Sequence, residues 1–170
     1  AASFLFSGLT IYGGLIVAMI AIVFYARKHK IAVLHLADAF APTMMIAYAV
    51  GRIGCQVSGD GDWGIVNSAY LSEPDANIVA ASAQEFQSAL QANSGYYVQK
   101  FGSLSNVEHV AVQGPGWLPE WLFAYNYPNN VINARVRLAS CDGKFCSYLP
   151  LPAFPTPLYE FLACTLLFFV

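Results

Sequence analysis

Charge is what this chain has least of. Of its 170 residues only 11% are Asp, Glu, Lys or Arg, while 57% are hydrophobic. An ordinary soluble domain carries roughly a quarter charged residues, so this composition is that of a membrane protein. The net charge of −2 and the lack of any basic stripe exclude a general nucleic-acid binder. No basic region precedes the first apolar run, so no signal peptide is read there. Neither an internal repeat nor a low-complexity tract is present. The chain begins with Ala1 and reaches Val170 inside an apolar run, which gives the expectation of an internal piece of a larger polytopic protein.

What is there is hydrophobic length. Residues 9–26 hold no charged side chain. At about 1.5 Å per residue such a run spans roughly 27 Å, close to the hydrocarbon thickness of a bilayer. The alternative is a buried core helix, and a circumference that is apolar all round weighs against it. Arg27, Lys28, His29 and Lys30 close the run, and by the positive-inside rule this loop is cytoplasmic. Residues 31–53 then return across the membrane. On this segment Asp38 is expected to cap the following helix, with Pro42 in or near its first turn. Arg52 is expected at the outer face, level with Tyr12.

Residues 58–152 are polar and turn-rich, enough for a small extracytoplasmic cap. Within them 80–92 favour a helix by propensity, and 96–100 and 107–112 read as short strands. The aromatic loop 114–121 is suited to a membrane interface. Cys141 and Cys146 frame a short turn, and an exported compartment oxidises such pairs. A local disulfide is therefore expected, with free thiols as the alternative. A zinc site lacks ligands, since His109 is the histidine in this segment. Asp60-Gly61-Asp62 has the look of a calcium loop without its downstream ligands. No metal and no cofactor is expected. Further on, Thr156 suits an N-cap and Pro157 the first helical position. The positive end of that helix either attracts an anion or is simply a helix start with Glu160 on its dipole.

The most concentrated chemistry lies in Gly51-Arg52-Ile53-Gly54-Cys55-Gln56-Val57-Ser58-Gly59-Asp60-Gly61-Asp62-Trp63-Gly64. An arginine at the edge of a membrane segment is a functional candidate by default. Among glycines it can meet a ligand closely.

This stretch resembles the signature Gly-Arg-Ile-Gly-Asn-Phe-x-Asn-Gly-Glu-x-Trp-Gly of the prolipoprotein diacylglyceryl transferase family, one residue longer. Gly8-Leu9-Thr10-Ile11-Tyr12-Gly13-Gly14-Leu15 is similar to that family's Gly-Leu-x-x-His-Gly-Gly-Leu. Phe154-Pro155-Thr156-Pro157-Leu158-Tyr159-Glu160 is similar to its His-Pro-Thr-Gln-Leu-Tyr-Glu. The order is the family's, with an enlarged insert between the last two motifs. The departures are specific: Tyr12 stands for a histidine, Cys55 and Ser58 for asparagines, and Asp60 for the glutamate. Ala153 and Phe154 stand near the last motif, where an arginine belongs. A substitute role for Arg135 or Arg137 has no motif behind it.

The resemblance implies a polytopic α-helical protein of the bacterial cytoplasmic membrane. Its segments would be a hairpin at 1–57, an extracytoplasmic cap at 58–152 and a further membrane helix from 153. It implies transfer of the diacylglyceryl group from phosphatidylglycerol to the lipobox cysteine thiol of an exported prolipoprotein. Tyr12 and Asp60 would be catalytic, with Asp60 orienting Arg52 or the headgroup. Arg52, Gly13, Gly14, Gly54, Ser58, Gly64, Tyr159 and Glu160 would bind phospholipid. A solute-binding or transport segment would use the same outer-face charges without covalent chemistry, and a structural subunit would use Arg52 as an anchor.

Overall fold

The computed structural model describes residues 2–170 apart from 135, 139 and 140, with side chains from residue 13 onward. Tyr12 lies on a helical backbone, but its side chain is outside the described set, as is Arg135. Two compact units divide the chain, Ala1–Ile46 and Ala47–Val170.

The first unit holds helix α1, Ala2–Lys28, and the beginning of α2, Val33–Ser58. The turn between them is built by Lys30 at φ 56°. Ile31 N–H donates to the Ala26 carbonyl at 2.9 Å and Lys30 N–H to that of Arg27 at 3.2 Å. These are the two bonds of a Schellman motif, here with lysine in the left-handed position where glycine is usual. Arg27 and Lys28 occupy the last turn of α1, where cations complement the dipole.

Among the described residues α2 is long and apolar enough to cross a membrane. It starts at Val33, so Asp38 and Pro42 lie inside it and not at its N-terminus. The expected cap at Asp38 is thus incorrect. Pro42 cannot donate to the Asp38 carbonyl, yet the helix runs through; such interruptions are tolerated where neighbours or hydroxyls re-satisfy the backbone. Thr43 Oγ1 reaches the Ala39 carbonyl at 3.5 Å. Gly59 ends α2 at φ 59°, its N–H on the Cys55 carbonyl at 3.0 Å. A side chain there would be strained by the backbone, and its Cβ would fall 2.7 Å from that of Asn130.

The second unit builds its core from short pieces. Strand β1, Val66–Asn67, pairs in parallel with β4, His109–Val110. A hairpin joins β2, Tyr70–Ser72, to β3, Ile78–Ala80, and another joins β5, Val136–Arg137, to β6, Ser147–Tyr148. Helix α3, Ala83–Ala92, begins with a capping box between Ser82 and Glu85. Those bonds hold the Glu85 carboxyl below its ordinary range.

Residues 96–100 are not a strand but part of helix α4, Ser94–Phe101. Helical spacing sets Tyr97 and Phe101 one turn apart, ring centroids 6.3 Å, and buries Tyr97 with Phe86, Leu90, Val107 and Leu151. Packing has overridden the β propensity of adjacent tyrosines. Of 107–112, only His109 and Val110 join a ladder. A second cluster gathers Tyr127, Ala134, Leu149 and Ala153 under Trp63 and Tyr125.

Buried asparagines tie the irregular segments together. Asn130 donates to the Ser147 carbonyl at 2.8 Å and accepts from Ala134 N–H at 2.6 Å. Each replaces a backbone partner that no regular element supplies.

Cys141 and Cys146 are disulfide-bonded, with Cα atoms 5.6 Å apart. Helix α5, Thr156–Phe168, closes the described chain. Its N-cap is Pro155 and not Thr156, and no side chain caps it. The expected Thr156 cap is therefore corrected: Thr156 is the first helical residue and Pro157 the second.

Candidate active site

Arg52 sits near the end of α2 with its side chain 12% exposed. Glu160, one turn into α5, meets it fork to fork: Nη2 donates to Oε1 at 3.0 Å, and Nε lies 2.7 Å from Oε2 without the alignment of a hydrogen bond. Asp62 takes Nη1 from the other side. Nη1 also points at Cys55 Sγ, 3.8 Å away. Tyr48 stands one turn before Arg52 on α2; its hydroxyl donates to Glu160 Oε2, and its ring centroid lies 5.8 Å from the guanidinium carbon. The cluster is thus one cation between two carboxylates, with a phenol beneath.

Why the chain folds this way follows from three local features. Gly59 turns the chain out of α2. In the loop beyond, Asp62 N–H bonds the Asp60 carboxylate at 3.3 Å, an Asx-type turn. Gly64 then brings the loop onto the segment before α5: its N–H donates to the Phe154 carbonyl at 3.0 Å, and a Cβ would lie 2.6 Å from Thr156 Cγ2. Gly64 therefore joins the signature to the start of α5 and has no room for a side chain. The same backbone passage uses residues 153 and 154, where an arginine had been looked for.

The expected site residues divide. Arg52 and Glu160 come together, with Glu160 gripping the arginine. The loop's carboxylate on Arg52 is Asp62, not Asp60. The Asp60 carboxylate instead accepts the Asp62 N–H at 3.3 Å. The Ser58 carbonyl receives Val131 N–H at 2.9 Å, and its hydroxyl is 3.5 Å from the Cys55 carbonyl. Ser58 thus anchors the 131 segment. Tyr159 is likewise engaged, its hydroxyl donating to the Leu122 carbonyl. A Cβ added at Gly13, Gly14 or Gly54 would meet nothing within 4 Å. Arg137 lies on β5, exposed.

Two members escaped sequence reasoning. Tyr48 carried a usable signal, being four residues before Arg52 and so on its face of the helix. Gln56 carried none: its Oε1 accepts from the Tyr127 hydroxyl at 3.1 Å, across a long sequence separation. Burial pushes the Tyr127 hydroxyl's pKa well above its ordinary value, so it remains a donor.

Chemically, the guanidinium has five donors. Glu160 and Asp62 engage part of that set. Asp62 is the more exposed acid, 60% against 40% for Glu160. Among the described residues no cluster of His, Cys, Asp and Glu could hold a metal ion.

Comparison with known proteins places these residues in a setting. The family model for prolipoprotein diacylglyceryl transferase matches residues 2–170. The chain is similar to the phosphatidylglycerol–prolipoprotein diacylglyceryl transferase of Leptospira interrogans, 40% identical over 65 residues, 38% of this chain and 20% of that protein. It is also similar to those of Teredinibacter turnerae, 32% over 87 residues, 49% of this chain and 30% of the relative, and of Listeria welshimeri, 45% over 47 residues, 28% and 17%. The matched segments span less than a third of each relative's length. No solved structure matches.

Proposed function

The chain belongs to the prolipoprotein diacylglyceryl transferase family, and from that premise we propose that it supplies the phosphate-holding part of a lipid-transfer site. The reaction moves the diacylglyceryl group of phosphatidylglycerol to the lipobox cysteine thiol of an exported prolipoprotein. The cysteine sulfur forms a bond to the glyceryl carbon, and the bond from that carbon to the phosphate oxygen breaks. The electron pair departs with glycerol phosphate, and the thiol proton passes to a base.

The observation that carries the reading is Arg52, gripped by Glu160 and paired at Nη1 with Asp62, the more exposed of the two acids. A lipid phosphate replacing Asp62 would meet a guanidinium already oriented, so little reorganisation is left to the moment of reaction. Arginine suits this role because its planar fork matches two phosphate oxygens. Asp60, in the same loop as Asp62, would take the thiol proton. Tyr12 would hydrogen-bond the reacting centre; an unperturbed phenol titrates near pH 10, too high for an efficient base at neutral pH.

In this reading α1, α2 and α5 are membrane helices of a multi-pass protein in the bacterial inner membrane. Supporting it, α2 and α5 carry outward apolar side chains, among them Val50, Val57, Leu162 and Leu166. The basic turn after α1 is cytoplasmic, and residues 58–152 form the extracytoplasmic cap.

Full-length protein in membranes with labelled phosphatidylglycerol and a lipobox peptide tests the reaction. Label on the peptide thiol supports it; binding of lipid or solute without transfer would favour the transport reading. For orientation, a thiol reagent that cannot cross membranes should reach Gly95→Cys in intact cells. Labelling that needs permeabilisation would invert the topology.

A further inference from the structure

The loop between β4 and β5 that carries two tryptophans plays no part in the site above, and its construction calls for an explanation. Its stems are clasped by Asn67, which is fully buried. Asn67 Nδ2 donates to the Val112 carbonyl at 2.8 Å and to the Phe123 carbonyl at 3.0 Å, and its Oδ1 accepts Val112 N–H at 3.1 Å. Between the stems Gly114 lies flat on the Phe123 ring, where a Cβ would come within 2.4 Å of Cδ2, and Gly114 N–H donates to the Tyr70 hydroxyl at 3.0 Å. A turn closed by Leu118 N–H on the Pro115 carbonyl at 2.9 Å shapes the tip.

On this pinned base the indoles point outward. Trp117 is 80% exposed and Trp121 48%. An unsupported loop would fold such side chains inward to shed apolar surface; here the base holds them out. The direction is set by a further contact. The Tyr159 hydroxyl, on the first turns of α5, donates to the Leu122 carbonyl at the foot of the loop. The loop is thereby fixed at the level where an apolar helix begins, a helix whose Leu162, Leu166 and Leu167 all face outward.

We propose that this loop is a membrane-interface anchor: Trp117 and Trp121 seat the cap in the headgroup layer of the bilayer that α5 enters. Indoles favour that layer because they join an apolar ring to a hydrogen-bond donor. Glu120, the loop's one carboxylate, is exposed and can remain in water. The anchor would fix the height of the cap over the bilayer. Through Tyr159, the residue before Glu160, it would also set the height of the Arg52 cluster.

The inference rests on α5 being a membrane helix, which alkaline extraction of the full-length protein from vesicles tests separately. Extracted protein would sink the membrane reading itself. For protein that resists extraction, Trp emission is compared in vesicles with brominated and unbrominated acyl chains, for wild type and Trp117→Phe. The difference between the two proteins isolates Trp117. At least half of that component should be lost to the brominated lipid and little to aqueous iodide. Quenching by iodide alone, or by neither, would overturn the anchor. If Trp117→Phe fails to accumulate, Gly116→Cys carrying a nitroxide serves instead, since a Cβ there meets nothing within 4 Å. Its spectrum, corrected for labelled native thiols, should relax faster with oxygen than with a water-soluble nickel chelate; the reverse would overturn the proposal.

Discussion

Arg52 on α2 and Glu160 on α5 face each other although the sequence separates their helices by residues 59–155, and the carboxylate meets both Nη2 and the Nε edge. Asp62 reaches the same guanidinium from a loop. The two acids have different tasks in this arrangement, one to orient and one to yield. Glu160→Gln removes the charge that holds the fork and should lower transfer about ten- to hundredfold, roughly 1.4–2.7 kcal/mol. Asp62→Asn should change it less than about threefold. Initial rates of lipid transfer check both; a larger loss at Asp62 would reverse the assignment.

Gly59 offers a test of the fold with a built-in control. Its φ of 59° and the neighbouring Asn130 Cβ leave no place for a methyl group. Gly59→Ala should destabilise the protein by about 1–3 kcal/mol. Gly95, within α4, has open space around it, and Gly95→Ala should be neutral or stabilising by up to about 1 kcal/mol. Thermal melts of the detergent-solubilised variants measure the contrast. Equal losses would show that the left-handed turn after α2 carries no strain penalty.

The Cys141–Cys146 bridge spans a sequence separation of 5. On chain entropy so short a loop contributes about 2 kcal/mol. A non-reduced digest should yield the two cysteines linked in one mass, and reduction should lower the melting temperature without abolishing the fold. Two free thiols in freshly isolated membranes would remove the bridge.

Helices were legible where a period or a cap spoke locally. The 83–92 helix was legible in the Ala, Gln, Glu and Leu content of residues 80–92, while its capping box at Ser82 went unread. The apolar segments were legible by length alone. What failed were boundaries and short elements. Pro42 signalled a helix start but lies within α2, because a long apolar helix absorbs one lost backbone bond. Tyr96 and Tyr97 signalled a strand, and burial of one ring under α3 made them helical. Within the site, the motif located Arg52 and Glu160 but not their contact, which depends on how α5 approaches α2. That Asp62 and not Asp60 pairs with Arg52 is set by loop geometry, which the motif does not spell out.

Tyr12 occupies the position of the family's histidine, and the account gives it a positioning role. Tyr12→Phe should lower transfer, while Tyr12→His should sustain it and shift the pH profile toward the histidine range near 6.5. Full activity of the phenylalanine variant, with an unmoved profile, would leave the hydroxyl without a role.

The central claim concerns the shape of the cation at position 52. An interfacial anchor needs only positive charge and a long stem, which lysine supplies. A phosphate clamp oriented by Glu160 needs the planar fork, which lysine lacks. The deciding measurement is the rate of diacylglyceryl transfer by full-length Arg52→Lys, alongside its abundance in membranes. The account predicts normal abundance and a rate reduced about a hundredfold, equivalent to roughly 2.7 kcal/mol of transition-state stabilisation. Transfer by the lysine variant within about threefold of wild type would show that Arg52 is an anchor and that the phosphate is held elsewhere.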